Sequence, residues 1–485
     1  MSQAYDELSG SRGSKIFFRS RRYRARDLIT RVPATLLVDE GPQELRDLSM
    51  NGLSFFAKHN AFEIGASCSL SLRLDAAEVY QGEGVISRLE MAPRGFVVGV
   101  RLVRGFLDIP RLVDQHNALS LQRDLQHGAS RELGLVPTAY RALCAEILFV
   151  LRYYRSVCER TQKSVSADGH GEIPENTLSH YYDHLEAEWR PLRHRAEHLI
   201  STLIPGSPSH RATKHLTEVL ITPEFQEGVA GYRGYQKPLG YPGDFILMNA
   251  FYAQRLEGET AYGKLLHRLL TRFPLAACVI PRMEMLAEAI AHAVAKAGQS
   301  HRSPDDRVRV ASLGSGPARE VETFLRAHSP THPLHVVLID QDEAALSYAY
   351  NQVYPLIAQL DNGSRVECLH IAFAQLLKDP SLLDRLPGQD LVYSAGLVDY
   401  LADPIAKQIF AMLYSQVRPG GTLVVGNMAD NPGIAWLPEF LLDWTLLYRS
   451  EQEMKAFADH LDAASVEVKL DRTGYTYLVY IESPS

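Results

Sequence analysis

The alternation of apolar and polar positions divides the chain into three regions. In the first region, residues 15–121, short apolar runs are separated by Gly, Pro and Asn. These runs cover 34–38, 53–57, 67–74, 82–89 and 95–102. Short strands at this spacing are typical of a small β-barrel or sandwich. We therefore predict an N-terminal β-barrel.

The second region, residues 122–300, carries apolar residues at helical spacing. The clearest segments are 139–157, 180–203 and an alanine-rich stretch at 282–297. Stretches rich in Gly, Pro and polar residues lie between them, and 297–306 has the composition of a linker. This pattern predicts an all-α helical region.

The third region, residues 301–485, alternates strand-like and helix-like segments. The strand-like segments cover 308–313, 336–339, 366–370, 391–393, 422–425, 466–470 and 476–481. Such alternation is typical of a doubly wound, Rossmann-like α/β domain with a parallel sheet. The last two β-runs are joined by only five residues, which predicts a terminal hairpin. The whole chain is thus predicted to be a multi-domain protein.

Composition adds limits on location and partners. Hydrophobic residues make up 46% and charged residues 22% of the 485 residues, as in ordinary globular proteins. The five cysteines are scattered without a CxxC pair, so we expect neither a metal site nor a disulfide framework. No apolar run approaches the ~18 residues of a membrane span, and the first residues lack the apolar core of a signal peptide. We expect a cytoplasmic protein without a membrane span, and the sequence leaves open whether it forms a homodimer.

Charge is distributed unevenly along the chain. The formal net charge is -7, which argues against a nucleic-acid partner for the whole protein. The first 31 residues, however, hold seven arginines and one lysine against three acidic residues. A basic arm on an acidic protein indicates either a local anionic ligand or a solvated terminus.

The strongest chemical signal is the string ASLGSGPARE at 311–320. Gly314, Ser315 and Gly316 follow a predicted strand and open a predicted helix, where glycines let the backbone approach a ligand beside the first helical N–H groups. Asp340 lies 26 residues after Gly314, at the end of the next strand, where an acid can accept hydrogen bonds from ribose hydroxyls.

Two departures separate this loop from a dinucleotide fingerprint. Ala318 replaces the third glycine, and no basic residue is placed to bind a 2′-phosphate. The pattern favours S-adenosylmethionine over a dinucleotide. A strand-turn-helix unit without a ligand is the alternative.

Several long strings carry a family resemblance. ASLGSGPARE, LIDQDEAAL, DLVYSAGLVDYL, RPGGTLVVGNM and FLLDWTLLYRS resemble class I S-adenosylmethionine-dependent methyltransferases, in particular the group that makes 3-hydroxypalmitic acid methyl ester. The similarity extends upstream to YRGYQKPLGYPGDFILMNAFY at 232–252 and thus covers most of residues 122–485.

The resemblance implies a set of cofactor-binding residues. The glycine loop would lie under the methionine part, Asp340 would hold the ribose, and the residues after the third and fourth strands would flank the adenine and the sulfonium. The implied residues are Gly314, Ser315, Gly316, Asp340, Gln341, Asp342, Ala372, Phe373, Ser394 and Gly396. The family's usual acidic residue in the first motif is replaced by Ser312, and Glu320 or a residue of the helical region could supply that contact.

The acceptor decides which further groups the chemistry needs. Methyl transfer is an in-line displacement, for which the protein mainly aligns and desolvates the reactants. A carboxylate acceptor is already ionised at pH 7, whereas a hydroxyl needs a general base. Asp399, His370 and Asp244 are the candidate bases, and a structural role is the alternative for each.

The segment KPLGYPGD at 237–244 is too rich in Gly and Pro to be ordinary helix. We interpret it as a lid with Tyr241 and Asp244 facing inward; a rigid connector between helices is the alternative. Arg449 or Arg282 could pair with a substrate carboxylate, or either could form a structural ion pair. Other candidate wall residues after the fifth strand of this fold are Asp443, Trp444 and Tyr448.

The first region resembles PilZ domains, the small β-barrels that bind cyclic di-GMP. The motif D-x-S-x-x-G is present as Asp47, Ser49 and Gly52, and R-x-x-x-R is met by Arg22 and Arg26. The resemblance implies that an arginine arm clamps the phosphates and stacks on guanines, while Asp47 and Ser49 contact guanine edges.

The arginine pair is ambiguous because Arg31, not Arg26, stands just before the first predicted strand, and Asp27 lies four residues before it. Either Arg22 and Arg26 or Arg26 and Arg31 could form the clamp. A barrel used only for protein contact is the alternative.

Together these features predict an S-adenosylmethionine-dependent methyltransferase regulated by cyclic di-GMP. Its acceptor would be the carboxylate of a small molecule resembling a 3-hydroxy fatty acid. One alternative is a hydroxyl, amine or protein acceptor; another is a non-catalytic interaction module under cyclic di-GMP control. The sequence does not determine whether the nucleotide activates or inhibits.

Overall fold

The chain divides into two compact units, Met1–Gly134 and Leu135–Ser485. The computed structural model describes residues 4–7, 16–19, 23–29, 32–39, 41–57, 61–75, 77–92, 95–103, 105–167, 171–299, 306–377, 379–384, 386, 388–431 and 433–485.

The N-terminal unit is built on antiparallel strands. They are β1 (Ala4–Glu7), β2 (Ile16–Arg19), β3 (Tyr23–Arg24), β4 (Ala34–Val38), β5 (Gly41–Ser49), β6 (Gly52–Ala57), β7 (Ser67–Leu74), β8 (Ala77–Ala92) and β9 (Gly95–Leu102). Strands β5, β4, β7, β8, β9 and β6 follow one another in that order, and β6 pairs with β5 to close a six-stranded barrel. The predicted β-barrel is therefore confirmed.

Alternating side chains fill the barrel. Along β7, Cys68, Leu70, Leu72 and Leu74 are buried while the residues between them are partly or fully exposed, as a strand with one face inward requires. Gly41 and Pro42, which follow the apolar run 34–38 and have the composition of a turn, are instead the start of β5. The reversal lies just before it, where Asp39 adopts φ 48°.

Two helices complete this unit, α1 (Ala25–Leu28) and α2 (Ile109–Leu135). The predicted boundary between 121 and 122 falls inside α2. Gly128 interrupts the helix with φ 66° and ψ 147°, and the division between the units follows shortly after that break.

The C-terminal unit begins with helices. They are α3 (Thr138–Ala167), α4 (Glu175–Ser201), α5 (Pro208–Leu220), α6 (Thr222–Phe225), α7 (Val229–Gln236), α8 (Phe245–Ala253), α9 (Ala261–Thr271), α10 (Pro274–Ala277) and α11 (Val279–Gln299). Among the described residues no single helix could span a membrane; the pair 128–135 and 138–166 meets the length and hydropathy criteria only jointly and is bent by 104°.

A seven-stranded sheet follows. Its strands are β10 (Val308–Leu313), β11 (Leu334–Asp340), β12 (Arg365–His370), β13 (Gln389–Ser394), β14 (Val417–Met428), β15 (Ser465–Leu470) and β16 (Thr476–Glu482). The order is β12-β11-β10-β13-β14-β16-β15, parallel except that β16 runs antiparallel to both neighbours. The βα alternation and the terminal hairpin are present as predicted.

Helices cover both faces of this sheet. They are α12 (Arg319–Ala327), α13 (Glu343–Gln359), α14 (Phe373–Leu376), α15 (Asp403–Tyr414) and α16 (Glu451–Ala456). Helices α11, α12 and α13 share a core with one face, and α14, α15 and α16 share a core with the other. Short 3-10 helices cover Pro380–Leu383 and Val398–Tyr400, and a π-helix covers Trp436–Leu441.

The helical region and the sheet region lie together in the compact unit Leu135–Ser485. Trp436, Leu437 and Phe440, which follow β14 in sequence, lie in the core of the helical region. Helix α11 in turn supplies Leu286 and Ile290 to the core on one face of the sheet. Each region therefore buries apolar surface of the other.

Candidate functional site

A cavity of about 480 Å³ lies at the carboxyl ends of β10, β11 and β13. The strand order reverses between β10 and β13, and in open α/β sheets ligands bind at such a reversal. Helices α8 and α11 and the 437–446 segment supply the other wall. The charged side chains among its described lining residues are Arg282, Glu320, Asp340 and Asp399.

The loop after β10 forms the floor. Gly314 and Gly316 have φ 69° and 50°, and no atom lies within 4 Å of a Cβ added at either. The amides of Gly314 and Ser315 donate to the carbonyl of Ile339 at 2.8 and 3.2 Å, and the amide of Gly316 donates to Asp340 Oδ2 at 2.8 Å. The amides of residues 314–316 therefore bond within the protein, and the loop offers open backbone surface to the cavity.

Asp340 is fixed at the end of β11. Its Oδ1 accepts from the amide of Asp342 at 3.0 Å, and its Oδ2 is the acceptor for Gly316. Each carboxylate oxygen can accept a second bond, so Asp340 can still bind ligand hydroxyls. Burial raises the pKa of Asp340.

Glu320 lies in the first turn of α12 and faces the same cavity. The hydroxyl of the buried Tyr393 donates to Glu320 Oε1 at 2.7 Å. Burial raises the pKa of Glu320, and the charge of Arg282 opposes this shift. The sequence alone does not indicate this hydrogen bond, because Tyr393 in β13 and Glu320 in α12 are brought together only by folding.

Arg282 and Asp399 lie on the far side of the loop. Arg282 Nη1 donates to the carbonyl of Ala395 at 2.9 Å. Asp399 Oδ1 accepts from the amide of Met428 at 2.6 Å. Burial raises the pKa of Asp399 to about 6, against the lowering effect of Arg282. The hydroxyl of Tyr400 accepts from Trp444 Nε1 at 2.9 Å, so its own O–H can donate into the cavity.

The 237–244 segment covers the cavity between α7 and α8. Tyr241 lines the cavity, and its hydroxyl donates to Asp342 Oδ2 at 2.9 Å. Lys237 Nζ donates to the carbonyl of Asp443 at 2.8 Å. The segment is thus tied to the sheet at one point and to the 442–443 loop at another.

Asp244 does not face the cavity as expected. Its Oδ1 accepts from the amides of Ile246 and Leu247 at 3.0 and 2.9 Å, which caps α8. Its Oδ2 also pairs with Arg233 at 2.9 Å, and the side chain is buried. A carboxylate with these partners positions the lid segment and is not available as a base.

Arg449 is also engaged within the protein. Its guanidinium donates to Asn427 Oδ1 at 2.7 Å, Asp403 Oδ1 at 3.0 Å and the carbonyls of Val398 and Leu401. It is absent from the cavity lining. The hypothesis that Arg449 binds a substrate carboxylate is therefore replaced by a structural role, in which it holds the loop that carries Asp399.

The remaining predicted cofactor residues divide into two groups. Gln341, Phe373 and Gly396 line the cavity, whereas Asp342, Ala372 and Ser394 are not among its described lining residues. Asp342 caps α13 by accepting from Ala344 and Ala345.

Other predicted residues can be placed as well. His370 Nε2 lies 3.0 Å from the carbonyl oxygen of Gln341, outside the cavity lining. Trp444 lines the cavity, but Asp443 and Tyr448 do not. Within the described part of the chain, no cluster of His, Cys, Asp and Glu could hold a metal ion.

In the barrel, strand pairing places Tyr23 and Arg24, between the two arginines of the R-x-x-x-R string, beside the start of the D-x-S-x-x-G string. Tyr23 and Arg24 in β3 lie opposite Leu48 and Asp47 in β5. Arg22 and Arg31 lie outside the described residues, as does the side chain of Arg26, whose backbone is in α1.

The second motif forms a hairpin. Ser49 is buried and its hydroxyl donates to the carbonyl of Gly52 at 3.1 Å, so it closes the turn rather than facing a guanine. A Cβ at Gly52 would lie 2.4 Å from the carbonyl oxygen of Val100, so only glycine fits there. Asp47 is half-buried beside Arg46, at 3.9 Å.

Comparison with known proteins gives low similarity. No family model matches the chain, and no curated protein matches it. A possible exported protein of Bordetella parapertussis is 18% identical, with a TM-score of 0.40 over 60% of this chain and 93% of that one.

Two methyltransferase structures are also similar. The magnesium protoporphyrin IX methyltransferase of Synechocystis PCC 6803 with bound SAH is 13% identical, with a TM-score of 0.34 over 48% of this chain and 93% of that one. The S-adenosylmethionine-dependent methyltransferase SibL is 16% identical, with a TM-score of 0.34 over 72% and 96%. At these values the similarities assign neither a family nor an activity.

Proposed function

We propose that residues 135–485 bind S-adenosylmethionine and transfer its methyl group. The observation that carries this proposal is the arrangement of Asp340 and the loop 314–316 at the strand-order reversal. The loop amides are used inside the protein, whereas a dinucleotide pyrophosphate needs such amides as donors. A ligand with a ribose and no phosphate fits this site better.

The surrounding residues fit the same cofactor. Asp340 retains acceptor capacity for ribose hydroxyls, and Ile371 and Phe373 provide an apolar wall for the adenine. Ser315 Oγ is buried, lines the cavity and has no hydrogen-bond partner within the described residues. Buried hydroxyls are usually paired, so a ligand atom is its expected partner.

S-adenosylmethionine would supply an electrophilic methyl group, and the protein would orient the acceptor and exclude water. Tyr241 and the lid segment close the cavity from one side. Asp399 and Tyr400 face the region beside Gly396, where the resemblance places the sulfonium.

For the acceptor we propose the carboxylate of a molecule resembling a 3-hydroxy fatty acid. The helical region and the 437–446 segment contribute mostly apolar side chains to the wall, including Leu270, Phe273, Leu275, Leu437 and Leu442. Such a wall suits an alkyl chain. The free O–H of Tyr400 can donate to the carboxylate, which needs no base at pH 7.

Asp399 favours a second candidate acceptor, a hydroxyl. Its carboxyl faces the cavity, and burial raises its pKa to about 6, which is suitable for a general base. The product would then be a methyl ether instead of a methyl ester.

The two acceptors can be distinguished with methyl-labelled S-adenosylmethionine. We expect 3-hydroxyhexadecanoic acid to accept label in a base-labile form, and its methyl ester, which offers only the hydroxyl, to accept none. Asp399→Asn keeps an oxygen for the amide of Met428 and should lower kcat less than tenfold. If the ester substrate carries base-stable label and Asp399→Asn lowers kcat roughly 10²-fold or more, the acceptor is the hydroxyl. Label found only in protein would refute both.

We also propose that the barrel is a PilZ-type receptor for cyclic di-GMP. Pairing of β3 with β5 brings the R-x-x-x-R segment beside Asp47. An arginine arm at this edge could clamp the two phosphates of the nucleotide.

A further inference from the structure

Ser312, a small residue near the end of β10, stands where the first motif would have an acid. Tyr393 lies opposite Ser312 on the neighbouring strand β13, and its phenol donates to Glu320 Oε1 at 2.7 Å. Tyr393 is 1% exposed, so it is a fixed donor. The carboxylate at this site has thus moved from the strand to the first turn of α12.

Arg282 supplies the opposite charge beside the same loop. Its Nη1 donates to the carbonyl of Ala395, and it makes no other hydrogen bond within the described part of the chain. A guanidinium has five donors, so several remain for a ligand. Arg282 and Glu320 do not form an ion pair with each other in the described structure. The charge of Arg282 opposes the rise in the pKa of both Glu320 and Asp399.

Two buried, opposite charges that line one cavity without pairing can bind a zwitterion. Partly exposed ion pairs contribute little, but a buried charge without a partner is costly. Arg282 is the only cationic side chain among the described lining residues. A ligand with an ammonium and a carboxylate would satisfy both protein charges.

Building on the proposed cofactor, we propose that Glu320 and Arg282 recognise its α-amino acid end, with Glu320 binding the ammonium and Arg282 the carboxylate. Tyr393 is a positioning residue that holds Glu320. Glu320 and Arg282 together would bind the amino acid end of the cofactor, and Glu320 would supply the carboxylate that Ser312 in the first motif lacks.

Calorimetric titration of the full-length protein tests this directly. The ligands are S-adenosylhomocysteine, its decarboxylated analogue and its deaminated analogue. Glu320→Gln should weaken the first two ligands about 10- to 100-fold and leave the deaminated analogue within twofold. Arg282→Gln should weaken S-adenosylhomocysteine and the deaminated analogue, and spare the decarboxylated one.

Glu322→Gln is the matched control, because it removes a charge from the same helix outside the cavity lining, where Glu322 pairs with Arg319 and Arg326. It should leave all three affinities unchanged. The inference is overturned if either cavity variant weakens the three ligands equally or leaves S-adenosylhomocysteine binding intact. If instead the proposed function is wrong, the unaltered protein would bind none of the three ligands.

Discussion

Glu197 in α4 is an ionisable residue in the apolar core of the helical region. It is 5% exposed, and its Oε2 accepts from the amide of Trp436 at 3.0 Å. Burial raises its pKa to about 7, and Glu439 adds to the shift while Arg193 opposes it. The protonated carboxyl is therefore the form that the fold favours.

Glu197→Gln should make stability less dependent on pH. Because the folded pKa lies above the unfolded value of 4.5, the stability that Glu197 contributes is complete below about pH 4.5 and is lost as pH rises through about 7. Glutamine cannot ionise, so the variant should gain up to about 3 kcal/mol relative to the parent between pH 5 and pH 8. Thermal unfolding at several pH values measures this.

Glu186→Gln, on the exposed side of the same helix, is the control. It removes a surface ion pair with Arg190 and should change stability by less than about 1 kcal/mol at each pH. If Glu197→Gln and Glu186→Gln change stability equally at every pH, Glu197 is not the source of the pH dependence.

Single residues differ in how well sequence predicts their role. Asp340 and Gly314 could be placed because a strand end and a turn fix their positions locally. Asp244 and Arg449 could not, because their partners, Arg233 and Asn427 among them, are specified only by packing. Charge type alone does not distinguish a ligand contact from an internal hydrogen-bond network.

At the scale of elements, the lid segment 237–244 depends on two glycines in different surroundings. Gly240 has φ 86° with no atom within 4 Å of an added Cβ, whereas at Gly243, with φ 72°, a Cβ would lie 3.0 Å from Trp444 Cζ2. Trp444 in turn donates to Tyr400 on the cavity wall.

Substituting alanine at Gly240 and at Gly243 should separate the effect of backbone strain from the effect of contact with Trp444. Both variants force a side chain into the left-handed region and should lose about 1–2 kcal/mol of stability. Only Gly243→Ala also displaces Trp444, so it alone should raise the acceptor KM, by roughly tenfold. Tm and steady-state kinetics on both proteins measure the difference; equal KM values would show that the lid does not shape the acceptor site.

Regular elements were predicted better than irregular ones. The strands at 34–38, 67–74 and 95–102 have the predicted bounds, because short apolar runs bounded by turn residues, and in 67–74 a period-two alternation, are local signals. Strand β5 was missed because Gly41 and Pro42 read as a turn. The π-helix at Trp436–Leu441 has no sequence pattern of its own and became visible only with its packing.

At the scale of the whole molecule, each unit has its own core. Among the described residues, the buried members of the barrel core run from Ala25 to Leu112, with Leu119 packed against them, and the buried core of the C-terminal unit begins at Val136. Cofactor binding and nucleotide binding are therefore expected to be separable by mutation.

Arg26→Ala should abolish cyclic di-GMP binding and leave the affinity for S-adenosylhomocysteine unchanged. The phosphate clamp requires this arginine in either of the two pairs that the sequence allows. Arg88→Ala, which removes a barrel arginine paired with Glu90 on the same strand, should bind the nucleotide normally. Titration calorimetry on the three proteins decides the matter, and nucleotide binding retained in Arg26→Ala would show that other residues form the clamp.

The central claim is that the cavity at the carboxyl edge of the sheet binds S-adenosylmethionine. Its most direct test is calorimetric titration of the full-length protein with S-adenosylmethionine, alongside NAD and the Asp340→Ala variant. We expect one S-adenosylmethionine site per chain, binding at least tenfold weaker in Asp340→Ala, and no binding of NAD. Absence of binding by S-adenosylmethionine, or preferential binding of NAD, would contradict it.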